Sequence, residues 1–165
     1  MTQEDKKELV FKDISARAPY YPIVSVMVHW EDDPDPHIRF RQVWEDEELT
    51  PYVLYDIYQQ GGNWEYIKPY LRSQSSMTKE EAEEMFRLMY PNDKLLKVEL
   101  EQDKVRFSRI SDGEHFKILC IFFNKIYSLE QLDWYYSKHF DVRGLIHLNL
   151  AIEVNKDNNP YERTD

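Results

Sequence analysis

The stretch that decides the fold covers residues 94–123 and reads KLLKVELEQDKVRFSRISDGEHFKILCIFF. Apolar and charged side chains alternate from Leu96 to Leu100, which is typical of a β-strand with one buried face. The alternation resumes at Val105 and Phe107 after a turn near Gln102. We therefore expect two adjacent antiparallel strands in this stretch.

A third strand is expected after the turn signal Asp112-Gly113. Phe116 to Phe123 forms an almost continuous apolar run, which favours a central strand buried on both faces. One face of this strand would hold Ile118, Cys120 and Phe122, and the other would hold Leu119, Ile121 and Phe123. The three strands together predict a meander.

Upstream of the meander the pattern predicts a hairpin. Residues 22–30 place apolar side chains on one face at a period of two, and residues 37–44 return as the second strand. The loop between them contains two prolines, which cannot continue a ladder. Residues 51–58 favour a further strand through their aromatic and β-branched content. Residues 64–71 are ambiguous, and a short helical turn cut by Pro69 is one interpretation.

Two main helices are predicted, one before and one after the meander. Thr78 and Glu81 form a capping box at the start of the first helix. Ser128 and Gln131 form another, which opens a helix to about His139. The predicted fold class is therefore α+β, with a mostly antiparallel sheet (the hairpin plus the three-stranded meander) and two main helices.

Size and composition favour one domain. The chain has 165 residues, 42% hydrophobic and 15% aromatic, which is enough for a core without a metal or a disulfide. We expect a single domain over 1–165, with loose ends at 1–8 and 155–165. The polar N-terminus does not resemble a signal peptide, and the longest apolar run, Ile118–Phe123, is too short to span a bilayer. Cys120 is the only cysteine, so no internal disulfide points to an oxidising compartment. From these three observations we expect a cytoplasmic location without membrane contact.

Acidic residues dominate the charge of the chain. The net charge of −10 at pH 7 disfavours direct binding to nucleic acid and suits a partner with a basic surface. Over half of this net negative charge lies in residues 31–48, which contain eight carboxylates and two arginines. The eight are Glu31, Asp32, Asp33, Asp35, Glu45, Asp46, Glu47 and Glu48.

The chemistry of these carboxylates favours recognition over metal binding. Their spacing does not match a calcium loop, so we predict no metal site. We interpret them as candidate binding residues for a protein or a protein–nucleic acid complex. The alternative is a solvated surface without a role.

No catalytic constellation can be assembled from the sequence. No phosphate-binding loop, zinc-ligand spacing or nucleophile with a neighbouring base stands out, so the chain is predicted not to be an enzyme and to need no cofactor. Two alternatives stay open: an enzyme with a site assembled from distant residues, and a nucleic-acid-binding protein with a basic and aromatic patch. The basic residues for such a patch are Lys12, Arg17, Lys68, Arg72, Arg106, Arg109 and Arg143.

Three blocks of sequence resemble one family. They are KDISAR at 12–17 followed by Pro19-Tyr20, IKPYLR at 67–72 with SSMT at 75–78, and LDW at 132–134 with HFD at 139–141, RGLI at 143–146 and LAIE at 150–153. In this order and spacing they resemble a large family of uncharacterised proteins carried by anaerobic gut bacteria and by their phages and prophages. The chain departs from that pattern at Tyr21, where we would expect a glycine.

The resemblance implies a mobile-element gene and a cytoplasmic location, and it implies no activity. Together with the acidic bias and the aromatic excess, it leads us to expect a phage or prophage accessory protein that binds another macromolecule. An inhibitor of a host defence system, such as an anti-CRISPR protein, is one version. Within the blocks, Asp141, Arg143 and Gly144 are predicted to form a tight turn that docks on Lys68–Arg72.

Overall fold

The structure, a computed structural model, describes residues 1–30, 41–59, 67–111, 114–123 and 125–162. The chain divides into two compact units. Unit 1 comprises residues 1–71 and 143–165, and unit 2 comprises residues 72–142. Each unit has a buried apolar cluster of its own.

In chain order the elements are α1 (Gln3–Arg17), β1 (Ile23–Trp30), β2 (Arg41–Glu48), α2 (Pro51–Gln59), β3 (Ile67–Leu71), α3 (Lys79–Met89), β4 (Lys94–Leu100), β5 (Lys104–Ser111), β6 (His115–Phe122), α4 (Leu129–Ser137) and β7 (Ile152–Glu153). Unit 1 holds a four-stranded sheet in the order β2-β1-β3-β7, in which only the β3–β7 pair is parallel. Unit 2 holds an antiparallel sheet in the order β4-β5-β6. The predicted α+β class and the predicted meander are confirmed.

Helix α1 includes part of the stretch that the sequence led us to expect as a loose end. Its start is a capping box, because the Asp5 amide donates to the Thr2 hydroxyl at 3.1 Å and the Thr2 amide donates to the Asp5 carboxylate at 2.6 Å. These hydrogen bonds to Thr2 lower the pKa of Asp5. The buried core of unit 1 has two clusters, one of Val10, Ile14, Val24, Leu49 and Ile67 and a smaller one of Leu71, Leu145 and Ala151.

The strand expected over residues 51–58 is wrong, because α2 occupies this segment. The Thr50 hydroxyl accepts a hydrogen bond from the Val53 amide at 3.3 Å, and Pro51 occupies the first helical position. Val53 and Leu54 then pack on the core of unit 1. Capping and packing therefore outweigh the strand preference of aromatic and β-branched residues.

Two further segments differ from expectation. The second hairpin strand, expected over 37–44, is β2 at Arg41–Glu48, and residues 37–40 lie outside the described residues. The ambiguous segment 64–71 contains β3, which begins at Ile67. Pro69 is tolerated there because it lies at the last paired position, opposite Val24.

Unit 2 is a meander covered on one face by two helices. The capping box of α3 is confirmed, with Thr78 and Glu81 each accepting from the other's backbone amide. In α4, Ser128 caps the Gln131 amide as predicted, but the Gln131 side chain accepts from the Tyr127 amide instead. The buried apolar cluster of unit 2 contains Met77, Ala82, Met85, Phe86, Val98, Val105, Phe107, Ile121, Phe123, Trp134, Tyr135 and Phe140.

The prediction of a central strand over Phe116–Phe123 is wrong. β6 is an edge strand, and β5 is the central one. The reason is geometric, because the third strand of a meander pairs only with the second. The face with Leu119 and Ile121 packs on the core, whereas Phe116 is 62% and Ile118 is 60% exposed on the opposite face.

Candidate functional site

The structure places half of the predicted acidic site. Glu45–Glu48 form the last half of β2, inside the strand, whereas the sequence pattern placed them after it. Glu31, Asp32, Asp33 and Asp35 lie outside the described residues.

The acidic end of β2 lies on an edge strand. Residues 45–48 pair with residues 23–26 of β1, and β2 has no second neighbour among the strands that the structure describes. Because side chains alternate between faces, Asp46 and Glu48 share one face and Glu45 and Glu47 share the other. Asp46 and Glu48 are exposed, while Glu45 and Glu47 are half-buried.

One carboxylate of this strand is held by a tyrosine. The Tyr70 hydroxyl donates to the Asp46 carboxylate, at 3.0 and 3.2 Å from its two oxygens. Ser25 pairs with Asp46 on one side and with Lys68 on the other, so the three side chains form one row across the sheet. The acidic strand end is thus fixed by both backbone pairing and side-chain contacts.

Charge is distributed unevenly between the two units. Unit 1 carries 10 basic and 18 acidic residues, a net −8, while unit 2 carries 11 and 13, a net −2. The four adjacent carboxylates of Glu45–Glu48 therefore stand on the more acidic unit. An excess of one sign on a surface raises the local potential and attracts ligands of the opposite sign.

Most residues of the hypothetical basic patch are engaged in ion pairs. The pairs are Lys12–Glu8 (2.6 Å), Arg17–Asp13 (2.6 Å), Arg72–Glu81 (2.5 Å), Arg106–Glu101 (2.8 Å), Arg109–Asp93 and Arg143–Asp13 (3.5 Å). At least six of the seven cations thus have a carboxylate partner. A cation already paired in this way contributes less to phosphate binding than an unpaired one.

The sequence pattern missed a buried ionic cluster in unit 1. Asp13 and Arg17 are fully buried one helical turn apart in α1 and form a bidentate pair, with distances of 2.6 and 3.2 Å. The half-exposed Arg143 approaches the same carboxylate at 3.5 Å. The Asp-x-x-x-Arg spacing was a usable signal, but it has meaning only on a helix, and α1 was not predicted there.

A tyrosine near the C-terminus joins two strands of unit 1. The Tyr161 hydroxyl accepts from the Ile23 amide at 3.3 Å and donates to the Tyr70 carbonyl at 2.8 Å. It bridges β1 and β3 just beyond their last direct pair. Burial raises the pKa of Tyr161 from 10.0 to about 12. This contact lies in a stretch expected from the sequence to be loose.

The predicted docking of the 141–144 turn is found in part. In unit 2 the Asp141 amide donates to the Arg72 carbonyl at 2.8 Å, and the Arg72 amide donates to the His139 carbonyl at 2.9 Å. The Arg143 guanidinium lies 3.5 Å from the Asp13 carboxylate. Gly144 has a φ of 73°, which suits a residue without a Cβ.

Arg72 also organises the start of α3. Its guanidinium donates to both oxygens of Glu81 at 2.5 and 2.9 Å and lies 4.5 Å from the centre of the Phe140 ring. Burial alone would raise the pKa of Glu81, but hydrogen bonds from Arg72 and Thr78 outweigh it and lower the pKa. The arrangement is that of a structural ion pair at a helix start.

Neither a metal site nor a membrane-spanning helix is found in the part of the chain that the structure describes. No three His, Cys, Asp or Glu side chains there converge as ligands. None of the helices there is long and apolar enough to cross a membrane. Comparison of the chain with protein-family models, with curated proteins and with solved structures finds no match.

Proposed function

We propose that this chain acts by binding a macromolecular partner with a basic surface through the acidic end of β2, residues 45–48. The observation that carries the proposal is the run of four carboxylates on the edge strand of a unit with a net charge of −8. Such a concentration of one sign steers an oppositely charged partner, mostly by raising the association rate.

The rigidity of this strand supports the proposal. Backbone pairing with residues 23–26 and the Tyr70–Asp46 hydrogen bond hold the strand end before any partner arrives. A pre-ordered surface loses less conformational entropy on binding than a loop does. The biological setting that we propose, from the family resemblance, is an accessory role in a phage or prophage, with inhibition of a host defence system as one form.

The test removes charge while keeping shape. Glu47→Gln combined with Glu48→Gln removes two charges from the strand and avoids Asp46, which Tyr70 holds. The matched control, Asp157→Asn with Glu162→Gln, removes two charges from exposed positions near the C-terminus. Both variants should keep nearly the same stability, since exposed charges contribute little to folding.

The measurement has two stages. The immobilised wild-type chain first captures proteins from a bacterial lysate at about 50 mM salt, where screening is weak. The association rate of a captured protein is then measured across a salt titration. We expect a slower association and a flatter salt dependence for the Glu47/Glu48 variant but not for the control. Equal rates for all three chains would show that the acidic strand is only a solvated surface.

A further inference from the structure

The edge strand β6 in unit 2 exposes backbone groups. The Phe123 amide donates to the Asp103 carbonyl at 3.0 Å, toward the neighbouring strand β5. One residue earlier, the Phe122 amide points the other way and donates to the Tyr127 hydroxyl at 3.4 Å. Because amides alternate along a strand, those of residues 116, 118 and 120 also point away from β5. No hydrogen-bond partner for them is found among the described residues.

The side chains at these positions are apolar. Phe116 and Ile118 are largely exposed, and Cys120 is half-buried on the same face. Natural edge strands are usually protected by charges, prolines or bulges. In β6 the one charged residue inside the apolar run is Lys117, which lies on the opposite face. Within the described part of the chain, Tyr127 covers the Phe122 end through its hydroxyl.

We propose that β6 pairs with β6 of a second copy of this chain, antiparallel and about a two-fold axis at Ile118. The two meanders then form one continuous six-stranded sheet. Ile118 lies opposite Ile118 of the second copy, and Phe116 lies opposite Cys120 of the second copy. This dimer is independent of the partner-binding role proposed for β2, because it uses a different strand on a different unit.

The register follows from the neighbours of Ile118. In an antiparallel pair, hydrogen bonds are exchanged only between residues whose backbone groups point toward the other strand. In β6 these are the even-numbered residues, so each must lie opposite an even-numbered residue of the second copy. The two-fold axis therefore passes through a residue and not midway between two residues. An axis at Lys117 would place the two lysines directly opposite each other, which is destabilising. An axis at Leu119 or Cys120 would use the Phe122 amide, which Tyr127 already occupies. An axis at Ile118 avoids both conflicts inside β6, because Phe122 then falls opposite Glu114, which lies before the strand begins, and the hydrogen-bonded pairing ends at Phe116 and Cys120.

Charge complementarity also favours a second copy in this register. Glu114, just before β6, falls opposite Phe122 of the second copy. The ammonium groups of Lys104 and Lys125 lie 5.5 and 5.6 Å from the centre of that ring. Lys104 is already paired with Glu101 at 2.9 Å, so the cation that the Glu114 carboxylate would meet is Lys125, and symmetry repeats the contact. Unit 2 carries a net charge of only −2, so repulsion between the two copies is small there.

The first test is the mass in solution. Sedimentation equilibrium at about 10–200 μM should give a mass that rises with concentration from 20.1 kDa toward twice that value. Ile118→Lys should remain at the monomer mass, because it places like charges on the axis. The matched control is Leu96→Lys, an exposed apolar position on the opposite edge strand of the same sheet, and it should still dimerise. A wild-type mass of 20.1 kDa throughout, or a dimer that survives Ile118→Lys but not Leu96→Lys, would overturn the proposal.

The second test fixes the register. Directly opposite residues of a hydrogen-bonded antiparallel pair have Cα atoms about 5.5 Å apart, which a disulfide can span. Ile118→Cys in a Cys120→Ser background should therefore form a covalent dimer with oxidised glutathione as the oxidant. The wild-type chain should not, since Cys120 lies opposite Phe116. Crosslinking through Cys120 in place of position 118 would refute the two-fold axis at Ile118.

Discussion

The buried pair of Asp13 and Arg17 leads to the sharpest prediction on stability. Both side chains are fully buried, and the guanidinium donates twice to the carboxylate, at 2.6 and 3.2 Å. Asp13→Asn keeps the shape of the side chain and removes its charge. The buried Arg17 guanidinium then loses its bidentate pair with this carboxylate, and breaking such a buried pair costs about 3–5 kcal/mol.

The size of this effect depends on burial. In Glu8→Gln, the lost carboxylate belongs to an exposed pair with Lys12 on the same helix, so we expect a change of about 0.5 kcal/mol or less. Replacing both buried partners, with Asp13→Leu and Arg17→Met together, should recover most of the loss, because the desolvation of two charges disappears with them.

The assay is urea unfolding followed by circular dichroism at pH 7. We compare the free energy of unfolding of four proteins: wild type, the two single variants and the double variant. The comparison requires that this free energy decrease with urea concentration at the same slope in all four. We expect the order wild type, Glu8→Gln, double variant, Asp13→Asn, from most to least stable. A loss under about 1 kcal/mol for Asp13→Asn would refute the reasoning, since it would mean that the pair contributes no more than a surface one.

Three further predictions concern single side chains. Tyr21 has a φ of 47° and an exposed side chain, so Tyr21→Gly should raise the free energy of unfolding by about 1 kcal/mol relative to Tyr21→Ala. Phe107→Ala should cost about 3–5 kcal/mol because the ring is fully buried, whereas Phe122→Ala should cost less than about 2 kcal/mol because its side chain lies on the open face of β6. Similar losses for the two variants would show that this face is covered. The folded pKa of Tyr161 is raised from 10.0 to about 12, so its stabilisation is complete below pH 10 and is lost as the pH rises through 12. Between pH 10 and pH 12 the free energy of unfolding, measured with urea, should therefore fall by about 2–3 kcal/mol more for wild type than for Tyr161→Phe. An equal pH dependence of the two proteins would argue against a buried Tyr161 hydroxyl between β1 and β3.

Local signals in the sequence predicted local structure well. The hydroxyl of Thr78 and the carboxylate of Glu81 lie three residues apart, and their reciprocal hydrogen bonds form wherever a helix starts. The alternation from Leu96 to Leu100 likewise identified β4 as a strand, although of the three apolar residues in this alternation only Val98 is buried, while Leu96 and Leu100 are exposed. These signals involve neighbours in sequence, so no knowledge of the fold is needed to interpret them.

The candidate site was predicted only in its composition. The residues Glu45–Glu48 were identified by their charge, but they were expected after the strand, whereas they form its last half. The apolar alternation that predicts the second hairpin strand ends at Trp44, because four acidic residues follow in a row. Pairing with residues 23–26 extends the strand regardless, since backbone hydrogen bonds do not depend on which side chain is present.

The sequence by itself determined the α+β class, the meander and the capped helices, because periodicity and capping act over a few residues. Only the tertiary structure decided what was buried. It left Phe116 and Ile118 exposed on an edge strand, and it buried Asp13 and Arg17 as a pair. The hydrophobicity of a side chain determines how much free energy its burial would contribute to folding. Which face of a strand is covered, however, depends on segments that are distant in the sequence. That dependence is why both candidate interaction strands, β2 and β6, were recognised as sheet edges only in the folded chain.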